Sequence, residues 1–273
     1  MAVTITPPYN ALRALNVATA DAAQASERIS TGLKINRASD DPAGMIRANQ
    51  LSVEIGSYTQ VKSNLTTAAY IVEQAGDTLD SIADILSSMQ ALALAAVSTT
   101  NSTTLATYQT TFASYLTDIT TLASNTTVNG SSILDGTTSS ISIQVGIDSG
   151  DTKTLTFFNS GTGASGLALS SLDVSSAAST AYTTLSTAID TTDARIAAVA
   201  AYDSSIGYLS DFVDSMITNQ SAEYSSIMTA DLAAEAANLA AAEIRQNSSL
   251  AMVAQTNTLT KELVDLLLDS VVD

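Results

Sequence analysis

The feature that most constrains this chain is an unbroken apolar run: Tyr58, Val61, Leu65, Ala68, Val72, Ala75, Leu79, Ile82, Leu86, Met89, Ala93 and Ala96, each three or four residues after the last. A 3.5-residue repeat keeps one seam facing a partner helix, so the run predicts a single coiled-coil-like helix whose seam alone extends about 60 Å. That length suits a rod better than a rounded core, although the seam by itself fits either.

Two further runs supply partners. Leu105, Tyr108, Phe112, Tyr115, Ile119 and Leu122 follow a short polar interruption, Val97 to Thr104, whose β-branched and turn-forming residues break the helix. The connection is short, so the first two segments fold back as an antiparallel hairpin. A third long helix, roughly Ala181 to Thr229, carries Leu185, Ile189, Ile196, Val199, Ile206, Val213, Ile217, Tyr224 and Ile227 in one phase. Its polar members, Thr192, Asp203, Ser210 and Gln220, either fix register within the seam at some cost in stability or, the preferred reading, face solvent at its edge. The candidate rod core is therefore Tyr58, Val61, Leu65, Val72, Leu79, Ile82, Leu86 and Met89, then Leu105, Tyr108, Phe112 and Ile119, then Ile196, Val199, Ile206 and Val213.

Between these helices the character changes. Glycine clusters from Gly130 to Gly166, and Ile141, Ile143, Val145 and Ile147 alternate with other residues before the turn Asp148 to Asp151. Leu155 and Phe157 resume the alternation, which predicts a β-hairpin. Asn159 to Thr180 reads as loop.

The two ends form a second body. Residues 1–10 read as an irregular lead because Pro7 and Pro8 lack amide donors, and a helix starts near Asn10 with a modest seam of Leu15, Ala18, Ala22, Ala25 and Ile29. A helix with so little to bury is marginal alone. Arg28 to Gly44 is a basic, turn-rich hinge, in which Gly32 stops one helix and Asp41 with Pro42 starts the next. From Asp231 on, Leu250, Val253, Leu259, Leu263, Leu266, Leu267 and Val271 make a mate for the first helix. Apolar residues that only the N-terminal segment and other copies can cover point to polymerisation. Arg245 and Lys261 are too few cations for the rival reading, an amphipathic helix on an acidic bilayer.

Composition removes much chemistry. There is no histidine and no cysteine, hence no imidazole base, thiolate nucleophile, disulfide or common zinc ligand set. We assign no catalytic, cofactor-binding or metal residue. A net charge of -17 argues against nucleic acid as partner. No stretch reads as a membrane span of about 18 apolar residues, so no membrane insertion is expected. The first residues lack the basic and apolar regions of a cleavable signal peptide, which taken alone implies a cytoplasmic protein.

The segments Glu27 to Gly44 (ERISTGLKINRASDDPAG), Asn125 to Gly136 (NTTVNGSSILDG) and Ile143 to Gly146 (IQVG), with a further match over Ala230 to Leu267, resemble bacterial flagellin, the subunit of the flagellar filament. The resemblance implies a mainly α fold: a long coiled-coil-like helical bundle rod with a small β-hairpin region, plus a discontinuous terminal helical-pair domain. It places the terminal domain at 1–43 plus 234–273 and the rod at 44–233, with the β-hairpin region at about 134–166 and no large outer domain. The function it implies is a non-enzymatic structural subunit that self-assembles helically and drives swimming.

Interface residues on that view are Leu12, Leu15, Ile29, Leu239, Ile244, Leu250, Val253, Leu263 and Leu266, with Arg28, Lys34, Arg37, Asp40 and Asp41 of the hinge. The hinge cations are expected to pair with acidic neighbours across subunits. Implied partners are further copies in a homopolymer, the flagellar export apparatus and its chaperone, and the filament cap and hook-junction proteins. The implied location is the extracellular filament, reached by type III export without a cleavable signal, which replaces the cytoplasmic reading. Ser98, Thr99, Thr103, Ser175, Ser176 and Thr180 are candidate O-glycan positions in loops. A hook-filament junction protein, which shares the S-x-G and D-D-P pattern, and a flagellin-like adhesin are the alternatives. The closing D-S-V-V-D departs from the family by running past the usual terminal leucines.

Overall fold

The computed structural model describes residues Tyr9–Val272, with side chains up to Asp265. The proline-containing lead and the side chains of Leu266, Leu267 and Val271 lie outside the described residues. The elements in order are α1 (Tyr9–Thr31), α2 (Pro42–Val97), α3 (Ser102–Asn125), β1 (Thr127–Val128), β2 (Ser131–Ser132), β3 (Ser140–Gln144), β4 (Thr152–Thr156), α4 (Ala178–Met228) and α5 (Leu232–Val272). They group into two units: Glu54–Asn219, and the residues up to Val53 together with those from Gln220 onward.

Within Glu54–Asn219 the seam of α2 is the centre of the packing. Tyr58, Val61, Leu65, Val72 and Leu79 are buried with Val199, Ile206 and Val213 of α4 and with Leu155 and Phe157 of the hairpin. Further along, Ile82, Leu86 and Met89 are buried with Phe112 and Ile119 of α3 and Leu185 of α4, while Leu105, Tyr108 and Ile196 are half-buried at the margins. By length and composition α2 is long and apolar enough to cross a membrane, contrary to the sequence expectation. Within α2, Leu79, Ile82, Leu86 and Met89 are buried in the core, while Leu94 and Val97 are exposed.

Local chemistry sets the breaks. Asn101 caps α3, its Oδ1 accepting from the amides of Thr103 and Thr104 at 3.0 and 3.2 Å. Strands β3 and β4 pair antiparallel with Ile141 opposite Leu155, in the predicted hairpin. A second, two-residue hairpin joins β1 to β2 through Asn129 and Gly130, both at positive φ (50 and 82°), the conformation such a tight turn needs. The alternation of apolar residues gave no sign of it, but the Asn-Gly pair is a known hairpin signal.

The segment between β4 and α4 is loop, yet it supplies core: Leu167, Leu169 and Val174 are buried in the cluster around Phe112. Its path is fixed by hydrogen bonds, Ser160 N to Leu134 O at 2.6 Å and Val174 N to Gln109 Oε1 at 2.8 Å. Gly136 sits at φ +90, and a Cβ there would lie 2.8 Å from the Asn159 amide nitrogen, so that crossing requires glycine.

The polar seam members of α4 divide. Asp203 is exposed as expected, but Thr192 and Gln220 are buried, which corrects the solvent-edge assignment for both. Thr192 tolerates burial because its hydroxyl donates to the carbonyl of Ala188 at 2.8 Å.

Phe112→Ala should lower the unfolding free energy by about 3–5 kcal/mol through the cavity it leaves. Tyr208→Ser, at a residue 77% exposed, should stay within about 0.5 kcal/mol. Urea unfolding followed by circular dichroism measures both.

Candidate functional site

The unit formed by the two ends is built on α1 and α5. Three polar pairs fix their direction: Arg28 with Glu235 at 3.0 Å, Asp21 with Arg245 at 3.0 Å, and Thr19 with Gln246 at 3.2 Å. As the α1 number falls the α5 number rises, so the helices are antiparallel. Their contact closes on small residues. Ala11, Ala18 and Ala25, seven apart, are buried on α1, and Ala242 and Ser249, also seven apart, on α5.

Alanine lets the helices come close but gives little apolar area. The large side chains face outward: Leu12, Val17, Leu232, Ile244, Leu250, Met252, Leu259 and Val264 are exposed. Of the remaining predicted interface residues, Leu15, Ile29, Leu239, Val253 and Leu263 are half-buried, and the Leu266 side chain lies outside the described residues. Full burial of one large aliphatic side chain contributes about 1.5–3 kcal/mol, so this outward face holds most of the stabilisation that the pair does not use internally.

The hinge is stitched at both edges. Lys34 N donates to Met228 O at 2.6 Å and Ala230 N to Gly32 O at 3.0 Å, tying the hinge to the turn between α4 and α5. Ile35 is buried with Ala48 and Met228. Asp41 caps α2, its Oδ1 accepting from Gly44 N at 2.9 Å. A Cβ on Gly44 would lie 2.5 Å from the Asp41 carboxylate and 2.7 Å from Ile35 Cδ1, so a larger residue would displace the Asp41 cap and the buried Ile35 side chain. Asp231 caps α5 in the same manner through the amides of Ala233 and Ala234.

Within the chain Arg28 pairs with Glu235, and Arg37 Nη2 with both oxygens of Glu27 at 3.0 and 3.1 Å. The Arg28 pair is the better shielded, with side chains 24% and 12% exposed. Lys34 is exposed and has no carboxylate partner among the described residues. Asp40 also acts locally: its Oδ2 accepts from the amides of Arg37 and Asn36, at 3.0 and 3.1 Å, and these bonds hold its carboxyl below the ordinary 3.8.

The candidate glycan positions are not all in loops. Ser98 and Thr99 follow α2, and Ser175 and Ser176 precede α4, but Thr103 lies in the first turn of α3 and Thr180 in that of α4. Among the described residues, no group of three His, Cys, Asp or Glu could hold a metal ion.

A depressed carboxyl adds stability above its unfolded pKa and loses it as pH falls through the folded value. The Asp40 contribution to the hinge should therefore persist to below pH 3.8. An NMR titration should give Asp40 a midpoint below 3.8, with the amides of Asn36 and Arg37 moving at the same midpoint. A midpoint at or above that value would refute the capping role.

The chain was compared with known proteins. Residues 4–139 match the bacterial flagellin N-terminal helical region, and residues 182–267 match the bacterial flagellin C-terminal helical region. It is 31% identical to Flagellin FljM of Caulobacter vibrioides, over 94% of each chain. It is 28% identical to a flagellin of Halalkalibacterium halodurans, over 96% of this chain and 97% of the relative. These matches do not favour the junction-protein or adhesin alternatives. With both helical ends and nearly the full length of a 31% identical relative matched, the chain belongs to the bacterial flagellin family, as a structural subunit of the flagellar filament and not an enzyme.

Proposed function

We propose that this flagellin polymerises through the outward face of its terminal helix pair. The observation that carries this reading is the inversion of size across the pair, alanine inside and Leu12, Val17, Ile244, Leu250 and Leu259 outside. A lone pair so arranged gains little from closing. Stacked against other copies it buries the larger side chains, which offsets the ordering entropy of the ends.

On this reading residues 1–43 and 234–273 form the terminal domain and residues 44–233 the rod, with no large outer domain. The subunit leaves the cell through the flagellar type III apparatus with a chaperone and meets the junction and cap proteins at the growing filament. The lack of cysteine supports that route, since no disulfide can form before assembly. Ser98, Thr99, Ser175 and Ser176 are the loop positions most open to O-glycosylation, with Thr103 and Thr180 on first helical turns beside them.

Deleting residues 234–273 should leave a soluble, still largely helical protein that forms no sedimentable filaments. Polymerisation of that truncate would refute the role given to α5. Intact mass of filament protein against the sequence mass of 28.0 kDa tests the glycan positions: an excess in hexose-sized or larger steps supports them, and the unmodified mass refutes them.

A further inference from the structure

The chain has no cysteine, so its sulfur chemistry rests on six methionines. A thioether is oxidised where its sulfur meets solvent. Met89 is fully buried in the rod, and Met228 is 6% exposed, packed with Ile35 and Ala48. Met45 and Met216 are half-buried against core clusters. Met252 of α5 is 55% exposed, and among the described residues it is the one methionine left open. Thr256, one turn on, donates its hydroxyl to the Met252 carbonyl at 2.7 Å, so that proton does not engage the sulfur.

The place of Met252 on the helix gives its exposure a consequence. It stands seven residues before Leu259 and shares a face with it, while α5 closes on α1 through Ala242 and Ser249. Met252 therefore belongs to the outward apolar surface and not to the internal contact. Methionine suits such a surface because it is unbranched, apolar and adaptable. Its sulfoxide has nearly the same length but carries a strong hydrogen-bond acceptor, and burying that oxygen without a donor costs more than the apolar contact returns.

We propose that Met252 is an oxidation site through which peroxide controls entry of the subunit into the polymer. The sulfur lone pair takes one oxygen of hydrogen peroxide as the O–O bond breaks, and the proton on that oxygen passes to the departing hydroxide, which leaves as water. Sulfur is oxidised and the peroxide reduced, and a methionine sulfoxide reductase reverses the change. The inference rests on assembly through the outward face of the terminal pair and adds a modification that acts on the free subunit, where the sulfur is open.

The test treats full-length monomers with hydrogen peroxide, maps the oxidised positions by peptide mass spectrometry and reads the critical concentration for filament formation by sedimentation. Met252 should convert before Met89 and Met228, and its conversion should raise the critical concentration about tenfold or more while leaving monomer helicity unchanged. Met252→Gln, polar without any oxidant and equally suited to a helix, should raise it by a similar factor. Met252→Leu should assemble to within about threefold of the parent, before and after peroxide. Parent-like assembly of subunits whose Met252 is fully converted, or a Met252→Leu variant that loses assembly to peroxide as the parent does, overturns the proposal. Failure of the wider reading looks different: the chain lacking residues 234–273 would itself polymerise.

Discussion

Two helices that meet through alanine can approach closely but gain little by doing so. The rest of this molecule depends on that imbalance. Ala11, Ala18, Ala25 and Ala242 bring α1 and α5 together, the shielded Arg28 to Glu235 bridge fixes their direction, and the larger aliphatic residues remain on the outer surface. A monomer therefore carries a terminal unit with weak internal reasons to be ordered. On the proposed assembly, further copies supply the missing area.

The unit Glu54–Asn219 solves the opposite problem. Its α2 seam is buried along most of its length, first against α4 and the β3–β4 hairpin, then against α3, α4 and the loop that precedes α4. Nothing about this packing needs a second copy. A filament subunit is served by that division: one unit packed within itself, and one whose large apolar side chains remain on its outer face.

Much of this was legible in the sequence, for a physical reason. Long helices bury a dense periodic seam, and periodicity survives in one dimension, so the extents of α2 and α4 and the β3–β4 hairpin could be read directly. What could not be read depends on register between distant segments. The within-chain partners of Arg28 and Arg37, Glu235 and Glu27, are assigned only once α1, the hinge and α5 are placed. Leu167, Leu169 and Val174 sit in a glycine- and serine-rich stretch without period, so their burial had no signature. Thr192 was misplaced because a hydroxyl satisfied by its own helix behaves as a small apolar residue, and a polarity pattern cannot register that.

The Arg28 to Glu235 bridge also has a meaning in time. Its partners are 207 residues apart, so closing it in a flexible chain costs on the order of 5 kcal/mol in loop entropy from the length-dependent term alone. The hairpins, each closed by a short turn, cost only about 1–2 kcal/mol by the same term. A chain that emerges end first can complete β1–β2 and β3–β4 as they appear, but α1 must wait for α5, nearly the whole sequence later. Long contact separation thus makes the closing of α1 on α5 a late step, after the short-range hairpins have formed.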